Sequence, residues 1–387
     1  MAILVLNPLQ VTNFFMPAIR NFAGLPVIMQ IAICFIIISV ALIVYIQFRL
    51  FIIRYKGHRL EQKKAKLVPF IDGLITEHIL MRTDIDSSSD VNSIIIDTAA
   101  FNTPQLSGKE SRQILIDRII SYKKGFSGTI ALLLRKLYQD LEFDKVSYKK
   151  MNAFKWSKKI KGIRELVDMD APISDVIVLP LTNSKHRELR AEARNAYIKL
   201  SKNEPFKFFD ISTEPLLMWE QIELFKTITT TKDISIPNFA RWITYSNNKS
   251  IISFCLKLIV HYKQTDAAPA IVKLLDNKDH TLRAEAINTL GKIKYLPAED
   301  QLIHLYTNQP LTCQLEILKA IGRMETGRNI QFLKQEFLYS TDFDVRKNAA
   351  KSIIMSDAQD LIDELFQSST PENKLILKHA MNPLIKY

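Results

Sequence analysis

Leu282-Arg283-Ala284-Glu285-Ala286-Ile287-Asn288-Thr289-Leu290-Gly291 is the segment from which the rest of the chain can be read. Its first five letters, LRAEA, also stand at Leu189 to Ala193, 93 residues earlier, which is three steps of 31. Steps of 31 from residue 158 land on KKIKGIRELV (158–167), LRAEARNAYI (189–198), EQIELFKTIT (220–229), IISFCLKLIV (251–260), LRAEAINTLG (282–291) and CQLEILKAIG (313–322). The next segment, VRKNAAKSII, starts at Val345, 32 residues after Cys313, so one residue has been added around Ser340 to Asp342. A second row keeps the same register: Ile271, Leu302 and Leu333 are 31 apart, and Leu365 is 32 further on. Both rows register the same insertion, which chance similarity rarely produces. A fixed period of this size marks an array of helix pairs, each burying its apolar side only by stacking on the next.

Within one unit the residues explain themselves. Asp279, or His280, precedes a helix in which Leu282, Ala286, Leu290 and Ile293 form an apolar stripe at helical spacing. Ala284 and Ala286 are small enough for neighbouring helices to approach. Gly291, followed by Tyr295-Leu296-Pro297, is expected to stop the first helix, and Pro297 to open the second.

These features resemble the HEAT-repeat family in its short form of about thirty residues, found also in phycobilisome lyase-type repeats. The resemblance rests on Leu189-Arg190-Ala191-Glu192-Ala193, on Asp279 through Gly291, and on Asp344-Val345-Arg346 with Ala349 and Ala350, and it covers residues 155–387. It implies an all-α fold: a right-handed α-solenoid of stacked HEAT-like helix pairs over 154–387, preceded by one transmembrane helix. It also implies that an Asp and an Arg bond across neighbouring turns, a structural role that falls on Asp279, Arg283, Asp344, Arg346 and Arg190. The pattern is incomplete. His186 stands where Asp279 stands in its own unit, and the units near 220 and 251 lack the Arg. Neither a 34-residue nor a 33-residue period appears, which disfavours tetratricopeptide and ankyrin arrays.

Val27 to Gln47 is a run of 21 residues without a charge, about 31 Å long as a helix and matched to a bilayer core. A signal peptide needs a basic start and a shorter apolar stretch; here 26 nearly uncharged residues come first. Arg49, Arg54, Lys56, Arg59, Lys63, Lys64 and Lys66 follow the run and only Arg20 precedes it. The positive-inside rule then places the N-terminus outside, the C-terminal side in the cytoplasm and the span in the cell membrane. This cluster leaves a net +7 before residue 67 out of +12 for the chain, so the body is only mildly basic and no reader motif points to nucleic acid. Residues 1–26 read as a short outer tail and 48–66 as a basic juxtamembrane segment. Beyond them come a helix over Val68 to Met81, a loop at Arg82 to Asn92, a helix opened by a capping box at Ser107–Glu110, and another over Thr129 to Leu141. Low glycine content, 10 in 387, favours helices throughout.

The search for chemistry returns little. Gln105 to Ser111 is superficially like a phosphate loop, but Thr103 stands where the first glycine belongs and Glu110 where Ser/Thr contacts magnesium. The segment Gly125-Phe126-Ser127-Gly128-Thr129 lacks the closing glycine of a nucleophile elbow. Seven histidines show no metal-ligand spacing, and Cys34, Cys255 and Cys313 read as small buried residues. Trp156, Trp219 and Trp242 are expected to divide into two core residues and one exposed anchor. Lys149 to Lys161, with Tyr148, Phe154 and Trp156, is expected to be a solvated helix face with buried aromatics.

The function expected from these observations is non-catalytic, with no cofactor, metal or small-molecule substrate. A membrane-anchored cytoplasmic scaffold would present a concave face to a protein partner. Single-span HEAT-like proteins of this kind occur in bacteria near membrane glycosyltransferases, so the resemblance implies an integral membrane enzyme as partner. Two alternatives stay open: an accessory lyase-type or cofactor-handling protein, and a protein that binds anionic lipid through residues 48–66 and 148–161.

Overall fold

A computed structural model describes residues 22, 24–81, 91, 94–201 and 204–384; within them all regular structure is helical and there is no strand. The chain divides into two units, Met1–Leu141 and Glu142–Tyr387.

In the first unit, α1 (Val27–Ile75) is one unbroken helix of 49 residues, about 73 Å long at 1.5 Å per residue. A π-helical turn, Thr76–Leu80, prolongs it. Its most apolar stretch has a mean hydropathy of 3.0 and no part of it is buried in protein, so this helix is long and apolar enough to cross a membrane. The sequence suggests three pieces, a span, a basic segment and a helix from Val68; the structure joins them into one. Lys, Arg, Leu, Gln and Glu dominate the junction, and all are good helix formers. Pro69 removes one backbone donor within the helix. The helix persists across it because Leu67, Ile71, Ile75 and Ile79, four apart, are buried in the packing against α2 (Lys109–Gly125) and its neighbours. Asp72 accepts both arms of Arg118 at 2.5 and 2.8 Å, and Lys63 pairs with Glu110 at 3.2 Å.

The expected capping box does not form. The N-cap of α2 is Gly108, the Ser107 hydroxyl donates to the Pro104 carbonyl at 2.8 Å, and Glu110 is engaged by Lys63. α3 (Thr129–Asp140) begins after Gly128, whose φ of 67° makes the sharp turn between α2 and α3. The expected tail at 1–26 and loop at 82–92 lie almost wholly outside the described residues.

The second unit opens with α4 (Phe143–Met151) and α5 (Trp156–Asp168). Then come α6 (Arg187–Leu200), α7 (Met218–Thr230), α8 (Lys249–Tyr262), α9 (His280–Lys292) and α10 (Glu299–Tyr306). The last are α11 (Leu311–Met324), α12 (Ile330–Tyr339), α13 (Phe343–Met355), α14 (Gln359–Ser368) and α15 (Pro371–Met381). The helices α5, α6, α7, α8, α9, α11 and α13 start at 156, 187, 218, 249, 280, 311 and 343, five steps of 31 and one of 32. They form a first row in which most members pack directly on the next, with α15 after α13. Ile271, Leu302, Leu333 and Leu365 are all buried in the core between the rows.

The turns repeat as well. Lys263, Lys294, Glu325 and Asp357 all have left-handed φ between 51° and 56°, again 31, 31 and 32 apart. After α9 the Tyr295 N–H donates to the Leu290 carbonyl at 3.0 Å and the Lys294 N–H to Gly291 at 3.1 Å, a Schellman-type close. The residue that ends the helix is therefore Lys294, not Gly291. Gly291 serves packing: a Cβ there would lie 2.6 Å from the Ala320 Cα, so its bare backbone lets α9 and α11 touch.

The second row departs from a regular series of pairs. In the early units it shrinks to Asp175–Val178, Phe208–Ile211, Ala240–Tyr245 and Ala268–Lys273. Pro180, Pro205, Pro215 and Pro237 flank the first three and stop helix growth. Aromatic rings fill the space instead: Phe206, Phe208, Phe209, Phe239 and Trp242 are buried, with Phe209 edge-on to Trp242 at 5.2 Å and to Phe208 at 4.7 Å.

Candidate functional site

The period that builds the first row also repeats one face of it. Positions 281, 284, 285, 288, 289 and 292 of α9, and their equivalents one or more periods away, line two cavities. One, of about 550 Å³, runs from Phe225 across α8 and α9 to Glu316; the other, of about 430 Å³, lies on α6 and α7. Both lie on the same face of successive first-row helices, which makes that face grooved within this unit.

Its chemistry follows from the register. Position 285 and its equivalents give a carboxylate row, Glu192, Glu223, Glu285 and Glu316. The next turn gives Arg164, Lys226, Lys257 and Lys319, and the last turn gives Lys199, His261, Lys292 and Arg323. Several of these are spent in holding neighbours together. Arg164 Nε donates to Glu192 at 2.8 Å, Lys257 to Gln221 at 2.7 Å, and Glu316 accepts from Lys319 at 2.8 Å and from Asn288. Among the described residues Lys292 has no ion-pair partner; burial of its ammonium against the cavity walls, reinforced by the charge of Arg323, lowers its pKa. At the α7 end stands Trp219, 62% exposed with Ile222 beside it on the same face, its indole N–H held by Glu223 at 2.9 Å. A rigid, exposed indole beside a cavity is the side chain best suited to anchor a partner. His261, Glu285 and Lys292 line one cavity together, a polar grouping that sequence reasoning missed because His261 comes from one repeat and the other two from the next.

The repeat residues singled out from sequence turn out to clasp turns. Arg190 Nη1 donates to the Ser184 carbonyl at 2.8 Å, and Arg283 Nη1 to Asn277 at 2.6 Å, each six residues back. Arg283 also reaches forward to Gln309 at 3.0 Å, and Arg346 to Glu372 and Asn373 at 2.7 and 3.0 Å. Where the Arg is missing, Gln221 and Gln314 donate to Leu216 and Tyr306 carbonyls, both at 3.1 Å. Asp279 is the N-cap of α9, accepting from the Thr281 N–H at 2.9 Å and pairing with Lys249 at 2.7 Å. The Lys249 ammonium, then the Thr281 N–H, hold its carboxyl down at about 2. Asp344 does not share this role. The N-cap of α13 is Asp342, which accepts from Val345 N–H at 3.0 Å and is the true register partner of Asp279 once the inserted residue is counted; Asp344 pairs with Lys347 on the surface. His186 caps α6 without a side-chain bond.

One buried cluster escaped the sequence reading altogether. Glu220 occupies the position of Leu189, Ile251, Leu282, Cys313 and Val345, all of them core residues, and is itself buried. On the preceding helix Arg194, fully buried, occupies the position of Leu256, Ile287 and Leu318. The two meet at 3.2 Å, with Arg187 at 3.5 Å and Arg190 at 3.9 Å from the same carboxylate. Burial pushes the Arg194 guanidinium down to about 10, against the pull of Glu220. Opposite charges at two core positions of adjacent repeats were the available signal.

Of the remaining residues, Arg49, Arg54, Lys56, Arg59, Lys64 and Lys66 are exposed along α1, while Lys63 is half-buried by Glu110. Among the tryptophans only Trp242 is core; Trp156 is 40% exposed and stacks on His186 at 5.5 Å, and Trp219 is exposed. Cys34 is exposed on α1, contrary to the sequence reading, because no described residue covers that stretch of the helix; Cys255 and Cys313 are buried. Among the described residues no group of three or more His, Cys, Asp or Glu is placed to hold a metal ion.

No protein-family model matches the chain, and no curated protein matches it. Among solved structures, the crystal structure of an engineered protein from the Northeast Structural Genomics Consortium is similar at a TM-score of 0.31 and 15% identity, over 80% of this chain and 86% of that one. A likeness of that size carries no argument.

Proposed function

We propose that this chain is a single-pass membrane protein, crossing the cell membrane over residues 27–47 with its N-terminus outside, and that residues 154–387 form a cytoplasmic HEAT-like α-solenoid that holds a protein partner. The span is supported by the unburied apolar length of α1, and the orientation by seven basic residues from Arg49 to Lys66 against Arg20 alone before it. The observation that carries the scaffold reading is the groove: one helix face, repeated at a fixed period, with Trp219 exposed along it. The partner surface is assigned to this face of the first-row helices because cavities recurring along successive helices suit an extended protein ligand. An integral membrane enzyme, such as a glycosyltransferase, is the partner class that the HEAT resemblance implies. Tethering both proteins to one bilayer raises the effective concentration of the pair without any new contact.

The test is to crosslink the tagged full-length chain in intact cells, solubilise the membranes and identify what co-purifies. One integral membrane protein in stoichiometric amount, lost on deleting 155–387 and reduced by Trp219→Ala, supports the reading. Recovery of lipid alone sinks it. A stably bound chromophore or cofactor in place of a protein would establish the accessory, lyase-type alternative, to which the His261, Glu285 and Lys292 grouping would then belong.

A further inference from the structure

The hairpin of α4 and α5 is a second feature that the groove does not absorb. Residues 145–164 hold eight Lys and Arg and no Asp or Glu. At the tip, between Met151, which is buried, and the start of α5, stands Phe154, wholly exposed. Trp156 follows it, partly exposed and stiffened by its stack on His186. Lys149, Lys155, Lys158 and Lys161 on the same hairpin are exposed as well. The sequence had suggested buried aromatics on a solvated basic face; the rings are outside instead.

The stem beneath this tip is rigid. Lys150 donates to both oxygens of buried Glu165 at 2.8 and 2.6 Å, and the Ser147 hydroxyl donates to the same carboxylate. A Cβ on Gly162 would come 2.5 Å from the Ser147 carbonyl, so the two helices cross in backbone contact. The stem therefore fixes where the backbone of the tip stands, and so where the exposed Phe154 ring is offered. Projecting Phe and Trp on a hairpin with exposed lysines and no acid between 145 and 164 match the boundary between acyl chains and anionic headgroups.

We propose that the α4–α5 tip is a second membrane contact, in which Phe154 and Trp156 enter the interface of an anionic bilayer and Lys149, Lys155 and Lys158 hold its phosphates. The contact rests on the reading of 27–47 as a span, which keeps a bilayer within reach, and it does not depend on the groove or its partner.

The test uses the full-length chain in nanodiscs that carry a nitroxide lipid quencher. A fluorophore is placed by Phe154→Cys, or for comparison by Tyr339→Cys at another exposed aromatic, in a Cys34→Ala background, Cys255 and Cys313 being buried. Several-fold stronger quenching at 154 than at 339 in phosphatidylglycerol discs is expected, falling to the 339 level with Lys155→Glu/Lys158→Glu and in purely zwitterionic discs. Equal quenching at the two sites in anionic discs overturns the proposal, as does quenching indifferent to the charge reversal. A label that stays in water until the co-purified protein is added assigns the hairpin to that protein and overturns the lipid contact alone. A chain that never enters the discs overturns the span, and this contact with it.

Discussion

Glu220 stands in a leucine position, and its neighbourhood shows what that requires. An isolated carboxylate there would be expelled or protonated; Arg194 on the preceding helix, also in an apolar position, makes it tolerable. Removing one partner strands the other. Glu220→Leu alone is expected to cost about 3–5 kcal/mol in urea unfolding, whereas Arg194→Leu/Glu220→Leu should recover most of that loss. A double variant as unstable as the single would show that the two charges act independently. Asp279 gives a pH test. Its folded pKa of about 2 lies below the ordinary carboxylate value, so its contribution is complete above about pH 4 and is lost as pH falls through 2. Asp279→Asn keeps the cap and removes this dependence, which comparison of acid unfolding curves between pH 5 and 2 would reveal. At this scale the sequence was partly legible. Asp279 was readable as a cap because it precedes an apolar stripe. Asp344 was mistaken for its counterpart because the inserted residue blurs which Asp is in register. The Glu220 pair passed unseen because each residue, read alone, looks like an ordinary surface charge.

At the scale of helices the period was legible to the residue, because core spacing forces apolar side chains to recur wherever a helix faces its neighbours. Both the 31-residue step and its single extension to 32 recur in the helix starts and in the left-handed turn residues. The second row was less legible. Prolines and phenylalanines between 205 and 239 look like helix punctuation and core, yet together they build an aromatic cluster that takes the place of full helices. Two substitutions probe the helix junctions. Gly291→Ala pushes a methyl into Ala320 across the α9–α11 contact and should destabilise by about 1–3 kcal/mol, with Gly291→Ala/Ala320→Gly restoring most of it. Lys263→Gly relieves a left-handed lysine backbone, and should raise stability by about 0.5–1 kcal/mol. Thermal melts of the two variants moving in the same direction would contradict this account.

For the molecule as a whole, the membrane segment was the plainest reading and the groove the least accessible. A span needs only composition over consecutive residues, whereas the groove collects His261, Glu285, Lys292 and Glu316 from three repeats, and nothing in a linear reading sets them side by side. Deleting residues 1–47 should move the chain from the membrane pellet to the soluble fraction at high salt, where exposed charges are screened. Retention in the pellet would show that another part of the chain binds the bilayer strongly by itself. The unbroken course of α1 has one further consequence. Because no loop separates the apolar residues 27–47 from Leu67, Ile71 and Ile75, the azimuth of that docking stripe is locked to the orientation of the proposed span. One residue inserted between Gln47 and Leu67 would twist the stripe by about 100° about the helix axis, while seven would bring it nearly back into phase. Under the proposed placement, function plotted against insertion length should therefore oscillate with the pitch of an α-helix, as expected of a drive shaft and not of a leash.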